Sequence, residues 1–135
     1  MSKSLELSVF IPAIPKKIYE AWLSAKKHAA MTGAGAEIDP KVGGTFTAWD
    51  GYIEGKNIEL VPNKKIVQAW RTSEFPARSK DSQVEIFFEK EKTGTRVTLI
   101  HTNIPKGQEE GYRVGWEDYY FKPMKKYFAK KEKNF

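Results

Sequence analysis

The sequence predicts an α+β fold: a curved antiparallel sheet of six to seven strands wrapped around one long C-terminal helix, with two short helices after the first strand. Three observations predict it. Apolar residues alternate at two-residue spacing in the first dozen residues and again from about residue 45 to residue 103, the period of strands with one buried face. Between those stretches, from residue 15 to residue 33, the spacing is helical. Beyond residue 107 the period changes once more, to that of an amphipathic helix.

Leu5, Leu7, Val9 and Ile11 occupy every second position and define a first strand over residues 4–13. Pro12 and Pro15 punctuate it, and Pro15 suits a first helical position, where its missing N–H has no helical partner to lose. Ile18, Trp22 and Leu23 give the first short helix its apolar side; a second helical stretch over 24–32 is stopped by Gly33 and Gly35. Residues 45–49 form the next strand, followed by Asp50-Gly51, a pair favoured in two-residue hairpin turns whose central residues need positive φ. Residues 52–61 continue as a strand with a bulge expected at Gly55. Pro62-Asn63 turns the chain into 65–71, where Ile66, Gln68 and Trp70 share a face. Residues 72–81, around Pro76, are expected as a surface loop. Residues 82–90 set Val84, Ile86 and Phe88 against Gln83, Glu85 and Glu89, and Thr93-Gly94 leads into 95–103 with Val97, Leu99 and His101 in phase.

The C-terminal helix is expected over about residues 107–131. Tyr112, Gly115, Trp116, Tyr119, Tyr120, Pro123 and Tyr127 fall within roughly 140° of a straight helix, and Arg113, Glu117, Asp118, Lys122 and Lys125 lie outside that sector. Such a helix is about 36 Å long and can cross a whole sheet. Pro123 removes the bond to the Tyr119 carbonyl at about 3 kcal/mol, which predicts a kink. The sheet needs cover on its apolar face, and this helix is the one element with matching surface. A single cylinder cannot fill a concave sheet, so a space is expected between them.

A chain of 135 residues fits one domain, 1–135, burying roughly two-thirds of its unfolded surface. The absence of cysteine excludes disulfides, thiolate metal sites and a cysteine nucleophile. The N-terminus lacks the continuous apolar run of a signal peptide, and no stretch approaches the roughly 20 apolar residues of a membrane span, so a cytoplasmic protein is expected. The net charge of +6 is concentrated: residues 122–135 hold six lysines and one acid, leaving +1 for the rest. A lysine-rich helix end of this kind is ordinarily solvated and favoured by the helix dipole. With no basic stripe in the sheet region, nucleic-acid binding through the tail, with Tyr127 and Phe128 interleaved, is the least favoured partner reading.

No catalytic constellation emerges. His28 and His101 are the two histidines, without HxxxH spacing, so neither a metal site nor a cofactor is expected. Ser24 and Ser82 lack a nucleophile-elbow context, and the glycine pairs lack phosphate-loop patterns. Glu85 and Glu89 face away from the apolar side. Glu54 and Glu59 have opposite parity, so one points inward unless a bulge resets the register. The expected function is therefore binding. Trp49, Trp70, Phe88, Leu99, Trp116, Tyr119, Tyr120 and Met31 are the candidate lining of a cavity, with Trp22 near one mouth. An aromatic stripe is most often plain core. Tyr and Trp, however, join an apolar body to a polar tip, which suits a partly wet wall, and Tyr52, Tyr112 and Tyr127 lie on or near it.

Several segments together resemble a known family. Gly43-Gly44-Thr45-Phe46, Asp50-Gly51-Tyr52-Ile53-Glu54-Gly55-Lys56-Asn57, Glu59-Leu60-Val61-Pro62, Ile66-Val67-Gln68-Ala69-Trp70-Arg71 and Gly115-Trp116-Glu117-Asp118-Tyr119-Tyr120-Phe121 occur in the order seen in the activator of heat-shock-protein ATPase homologue family. That family lies within the START-like, birch-pollen-allergen-like helix-grip superfamily. The resemblance covers about residues 5–128. It implies a cavity between sheet and C-terminal helix for an apolar or amphipathic small molecule. For the eukaryotic founding members it implies stimulation of the ATPase of the 90-kDa heat-shock chaperone. Those members are similar to this chain in their C-terminal half and carry an additional N-terminal domain that docks on the chaperone. No part of these 135 residues corresponds to that domain, so a chaperone partner stands as the alternative to a small molecule, and an enzyme acting in the same cavity as the second alternative.

If the lysine-rich end is solvated, deleting residues 130–135 leaves the fold intact, with an unchanged urea midpoint; loss of the fold would show that the end is docked.

Overall fold

Alternation, turn chemistry and helical spacing resolve into the same order of elements in the computed structural model, which describes residues 3–132. Strand β1 (Lys3–Ile11) is followed by helices α1 (Pro15–Leu23) and α2 (Ala25–Thr32). Strands β2 (Glu37–Ile38), β3 (Thr45–Ala48), β4 (Ile53–Val61), β5 (Lys65–Thr72), β6 (Ser82–Glu91) and β7 (Gly94–Ile104) come next. The chain ends in helix α3 (Glu109–Gly115), a π-helical segment (Trp116–Phe121) and helix α4 (Lys122–Glu132). The strands form one open, fully antiparallel sheet in the order β1-β7-β6-β5-β4-β3-β2. This is the α+β helix-grip architecture.

Local chemistry accounts for the boundaries. Pro15 opens α1 at its first turn. Ser24 caps α2 by accepting from the Lys27 N–H, and Gly33 closes it at φ 83°, a left-handed conformation that glycine adopts without a Cβ penalty. The β1 residues Leu5 and Ile11 are buried, as are Val84, Ile86 and Phe88 of β6 and Val97 and Leu99 of β7. Strand pairing lines them up across one face: Ile66 opposes Ile86, and Ile86 opposes Leu99.

Four features depart from expectation. The β3–β4 hairpin is wider than a two-residue turn. Trp49, Asp50 and Gly51 all take positive φ, and pairing resumes only at Ala48 with Ile53. The β4 irregularity lies between Asn57 and Glu59 rather than at Gly55, and it resets the register so that both Glu54 and Glu59 face solvent. Residues 72–81 run over the surface as expected, but the loop is anchored. Phe75 is buried, and the Arg71 guanidinium lies 5.4 Å from its ring centre while donating to the Ser79 and Pro76 carbonyls and to Asp81. The short strand β2 has no alternation long enough to announce it.

The fourth departure is in the helix. Where Pro123 predicts a kink, the chain instead widens into the π-helical segment just before it, with the Lys122 N–H bonded to the Glu117 carbonyl. The proline then sits in the first turn of α4, where it is tolerated. The extra residue also changes which side chains face the sheet. In a plain α-helix each four-residue step overshoots a turn by about 40°, so five residues spaced by four would spiral off the sheet; one inserted residue takes back about 100°. As a result Tyr112, Trp116, Tyr120, Met124 and Phe128 are all buried, together with Phe121. Tyr119, in the expected stripe, is 57% exposed. Residues 133–135 and the side chains at 131 and 132, the end of the lysine-rich tail, lie outside the described residues.

Gly55 has a different role from a bulge. A Cβ there would overlap the Ala69 carbonyl oxygen and come within 2.7 Å of the Phe46 ring. Gly55→Ala is therefore expected to destabilise the fold by about 3 kcal/mol, measured by urea unfolding, because backbone must move to admit it.

Candidate ligand cleft between sheet and C-terminal helix

Strand alternation sends Trp70 inward from β5, and the i, i+4 spacing of the C-terminal helix sends Tyr112, Trp116 and Tyr120 to meet it. The positive-φ turn after β3 brings Trp49 against the same helix, its ring 5.5 Å from Tyr119. Between these walls lies a cleft of about 570 Å³, partly open to solvent. That volume is within the range typical of small-molecule sites. Tyr52, Ile53 and Glu74 complete its sheet side, and Gly107, Gln108, Gly111 and Gly115 its helix side.

Five of the eight expected lining residues meet here: Trp49, Trp70, Trp116, Tyr119 and Tyr120. Phe88, Leu99 and Met31 do not line the cleft; they are packed in the core at 4%, 0% and 3% exposure. Trp22, expected near a mouth, instead stacks on Tyr120 with ring centres 5.0 Å apart. Glu74 and Gln108 were not foreseen, because both lie outside any regular alternation and are brought to the rim by tertiary contacts.

Both histidines are consumed by structural bonds that fix their tautomers. An indole N–H can only donate, so the Trp116 Nε1–H donates to His101 Nδ1 at 3.1 Å, which leaves the proton on Nε2. That Nε2–H donates to Ser82 Oγ at 2.7 Å, and the hydroxyl donates onward to the Trp70 carbonyl at 2.9 Å. His28 has the opposite tautomer: Nδ1–H donates to the Trp22 carbonyl at 2.9 Å, and Nε2 accepts from the Tyr120 hydroxyl at 3.0 Å. Burial pushes the His101 pKa down to about 3 and lowers that of His28, the latter partly opposed by its bond to the Trp22 carbonyl. Burial also holds the Tyr120 hydroxyl well above the ordinary phenol range. The Trp49 indole N–H lies close enough to that hydroxyl to oppose the shift, yet it completes no hydrogen bond. It is the one buried side-chain polar atom without a partner among the described residues.

The rim is a second network. Thr72 Oγ1 donates to the Tyr112 hydroxyl at 2.7 Å, and that hydroxyl donates to Gln108 Oε1 at 2.6 Å. Gln108 Nε2 donates to the Glu74 carbonyl at 2.9 Å, and the Tyr52 hydroxyl donates to the Glu74 carboxylate. Burial, then the bond to Glu74, pushes the Tyr52 pKa up to about 12. Two residues along β5 from Trp70, Gln68 donates to Asn57 Oδ1 at 2.9 Å, and Asn57 donates to the Asp39 and Lys41 carbonyls. The inner face of the sheet thus carries polar groups deep inside, and each is wired. Among the described residues no cluster of metal-ligating side chains forms, and no helix is long and apolar enough to cross a membrane.

The model of the family described as "Activator of Hsp90 ATPase homolog 1-like protein" matches residues 12–129. The chain belongs to that family. Its similarity to the human activator of 90 kDa heat shock protein ATPase homolog 1 is 31% identity over 115 residues, 85% of this chain and 34% of that protein. An uncharacterized protein of Schizosaccharomyces pombe is 31% identical over 113 residues, 84% of this chain and 33% of the relative. The chain thus spans about one third of the length of these curated relatives. Among solved structures, an HSP90 activator from Plasmodium falciparum superposes with a TM-score of 0.80 at 28% identity, covering 87% of this chain and 89% of that one. A protein from Chromobacterium violaceum superposes with a TM-score of 0.76 at 23% identity, covering 93% and 96%, a likeness of fold alone.

In this family member the buried histidines are expected to make folding acid-sensitive. Both are neutral when folded but protonate freely when unfolded, so below the ordinary histidine pKa of about 6.5 the unfolded chain binds more protons. Their stabilising effect is complete above that pH and is lost as the pH falls toward 3. His101 alone is expected to account for about 2 kcal/mol between pH 7 and pH 5, read from urea midpoints. A folded His101→Gln protein with an undiminished slope would clear His101 as the source.

Proposed function

We propose that the chain is a non-catalytic binding module that holds an apolar or amphipathic small molecule between its sheet and its C-terminal helix. The observation that carries this reading is the 570 Å³ cleft walled by Trp49, Trp70, Trp116 and Tyr120 and rimmed by Tyr52, Glu74 and Gln108. Apolar walls supply affinity through buried area, and a few convergent polar groups at one end supply orientation. Catalysis is disfavoured because each histidine has both ring nitrogens occupied and sits neutral behind the wall. The Ser82 hydroxyl is likewise engaged, as acceptor from His101 and donor to a carbonyl.

A second reading has its own support. Similarity to the human ATPase activator and to the Plasmodium falciparum HSP90 activator favours a protein-interaction module that binds or stimulates a 90-kDa heat-shock chaperone. Since the chain matches about one third of the human protein, that activity is carried over only as a proposal.

Three measurements separate the readings. Gently purified protein is expected to release a stoichiometric small molecule on denaturing mass spectrometry. Trp116→Ala is expected to weaken binding of that molecule while lowering stability by about 3–5 kcal/mol. Unchanged binding in a still-folded Trp116→Ala protein would remove Trp116 from the site. Stimulation of the chaperone's ATPase by the purified chain, unaffected by filling the cleft, would favour the second reading instead.

A further inference from the structure

The charge of the cleft is opposite to that of the chain. The protein carries +6, yet none of the residues lining the cleft is basic, and Glu74 is its single charged group. Among the described residues no lysine or arginine pairs with the Glu74 carboxylate; its side-chain partner is the Tyr52 hydroxyl, a neutral donor. A cleft for an anionic amphiphile such as a fatty acid needs a cation or a set of free N–H donors at one end. This cleft has no cation, and among the described residues its unpartnered buried side-chain N–H is the Trp49 indole, a lone donor rather than a set; Gln108 directs its amide to the Glu74 carbonyl. Its walls are aromatic rings, whose faces are negative and attract cations held within about 6 Å of the ring centre.

The helix side of the cleft adds an independent observation. Gly111 and Gly115, four apart on α3, line it with helical backbone, and a Cβ built on either would meet nothing within 4 Å. Neither glycine is required by a close approach or by positive φ. In a helix each is less favourable than alanine by about 1 kcal/mol. Packing gives no reason for them, whereas a bulky group seated against the helix does.

Resting on the cavity-binding reading, we infer that the cleft selects an organic cation: an ammonium or quaternary ammonium head held between the aromatic walls and the Glu74 carboxylate, with its apolar body laid along Gly111 and Gly115. The source is a free small amine or the side chain of a basic residue on a partner; the chemistry is shared, and the test begins with the free cation.

The test uses the full chain and three probes of one shape: 3-hydroxyphenyltrimethylammonium, its uncharged isostere 3-tert-butylphenol, and 3-hydroxybenzenesulfonate, each titrated while the tryptophan indole N–H signals are followed by NMR. The cation is expected to bind about tenfold more tightly than the uncharged isostere, with the Trp49, Trp70 and Trp116 signals shifting. Preference over the sulfonate would run against the net charge of the protein and so must come from the site. Glu74→Gln is expected to weaken the cation about threefold and leave the uncharged isostere unchanged. Gly115→Leu is expected to weaken every probe about tenfold while the melting temperature holds or rises, since leucine is the better helix former and the space is free. Gly111→Leu serves in its place if that variant does not fold. Equal binding of cation and uncharged isostere, with both lost in Gly115→Leu, would overturn the charge selection and leave the cavity reading standing. No binding by any probe, or binding indifferent to both leucine variants, would overturn the two together. If lysine methyl ester binds as the probe cation does and a lysine-rich peptide binds more tightly, the source is a partner side chain; if the peptide does not bind, it is a free amine.

Discussion

The structure depends on how a polar-tipped aromatic helix is seated against the inner face of a sheet that itself carries polar groups. The seat is the chain of bonds from the Trp116 indole through His101 and Ser82 to the Trp70 carbonyl, which joins the C-terminal helix to β5, β6 and β7 at one buried point. Every donor along it has an acceptor, and His101 is wholly buried. A buried polar group without a partner costs more than the bond it makes is worth, so such a chain fixes one registration of helix against sheet and penalises the others. The bond from Tyr120 to His28 does the same between the C-terminal helix and α2.

With the helix pinned at those points, the π-helical segment between them follows. Trp116 and Tyr120 must both face inward although Pro123 lies one turn further on, and the wide turn satisfies both demands: it accommodates the proline and returns Met124 and Phe128 to the sheet. The same extra residue leaves Tyr119 at the rim, against the edge of Trp49. The cleft thus arises where the helix geometry departs from regular. Its opening is bounded by a widened hairpin turn on the sheet side and by two small residues on the helix side.

Stability and binding pull in different directions at this place. Ile66, Ile86 and Leu99, at the centre of the sheet, are fully buried and contribute apolar area without polar cost. Around the cleft, large rings keep their polar tips engaged with Thr72, Gln108, Glu74 and His28, and α3 tolerates glycine where alanine would fit. Regions that accept such local costs are commonly the functional ones.

The sequence by itself determined the order of the helices and of every strand but β2, the inward faces of β1, β5, β6 and β7, the helix boundaries at Pro15 and Gly33, and the aromatic character of the last helix, because each follows from spacing along the chain and from the conformational limits of single residues. The family was legible for the same reason, as ordered local motifs over most of the chain. It also placed Trp49, Trp70, Trp116, Tyr119 and Tyr120 in one lining group. Only the tertiary structure decided that Phe88, Leu99 and Met31 are core, that Glu74 and Gln108 reach the rim, that the β4 bulge falls at Ile58, and that the helix widens before Pro123. These outcomes depend on which surfaces meet and on which buried donors must find acceptors. Such conditions couple residues tens of positions apart, and no local period records them.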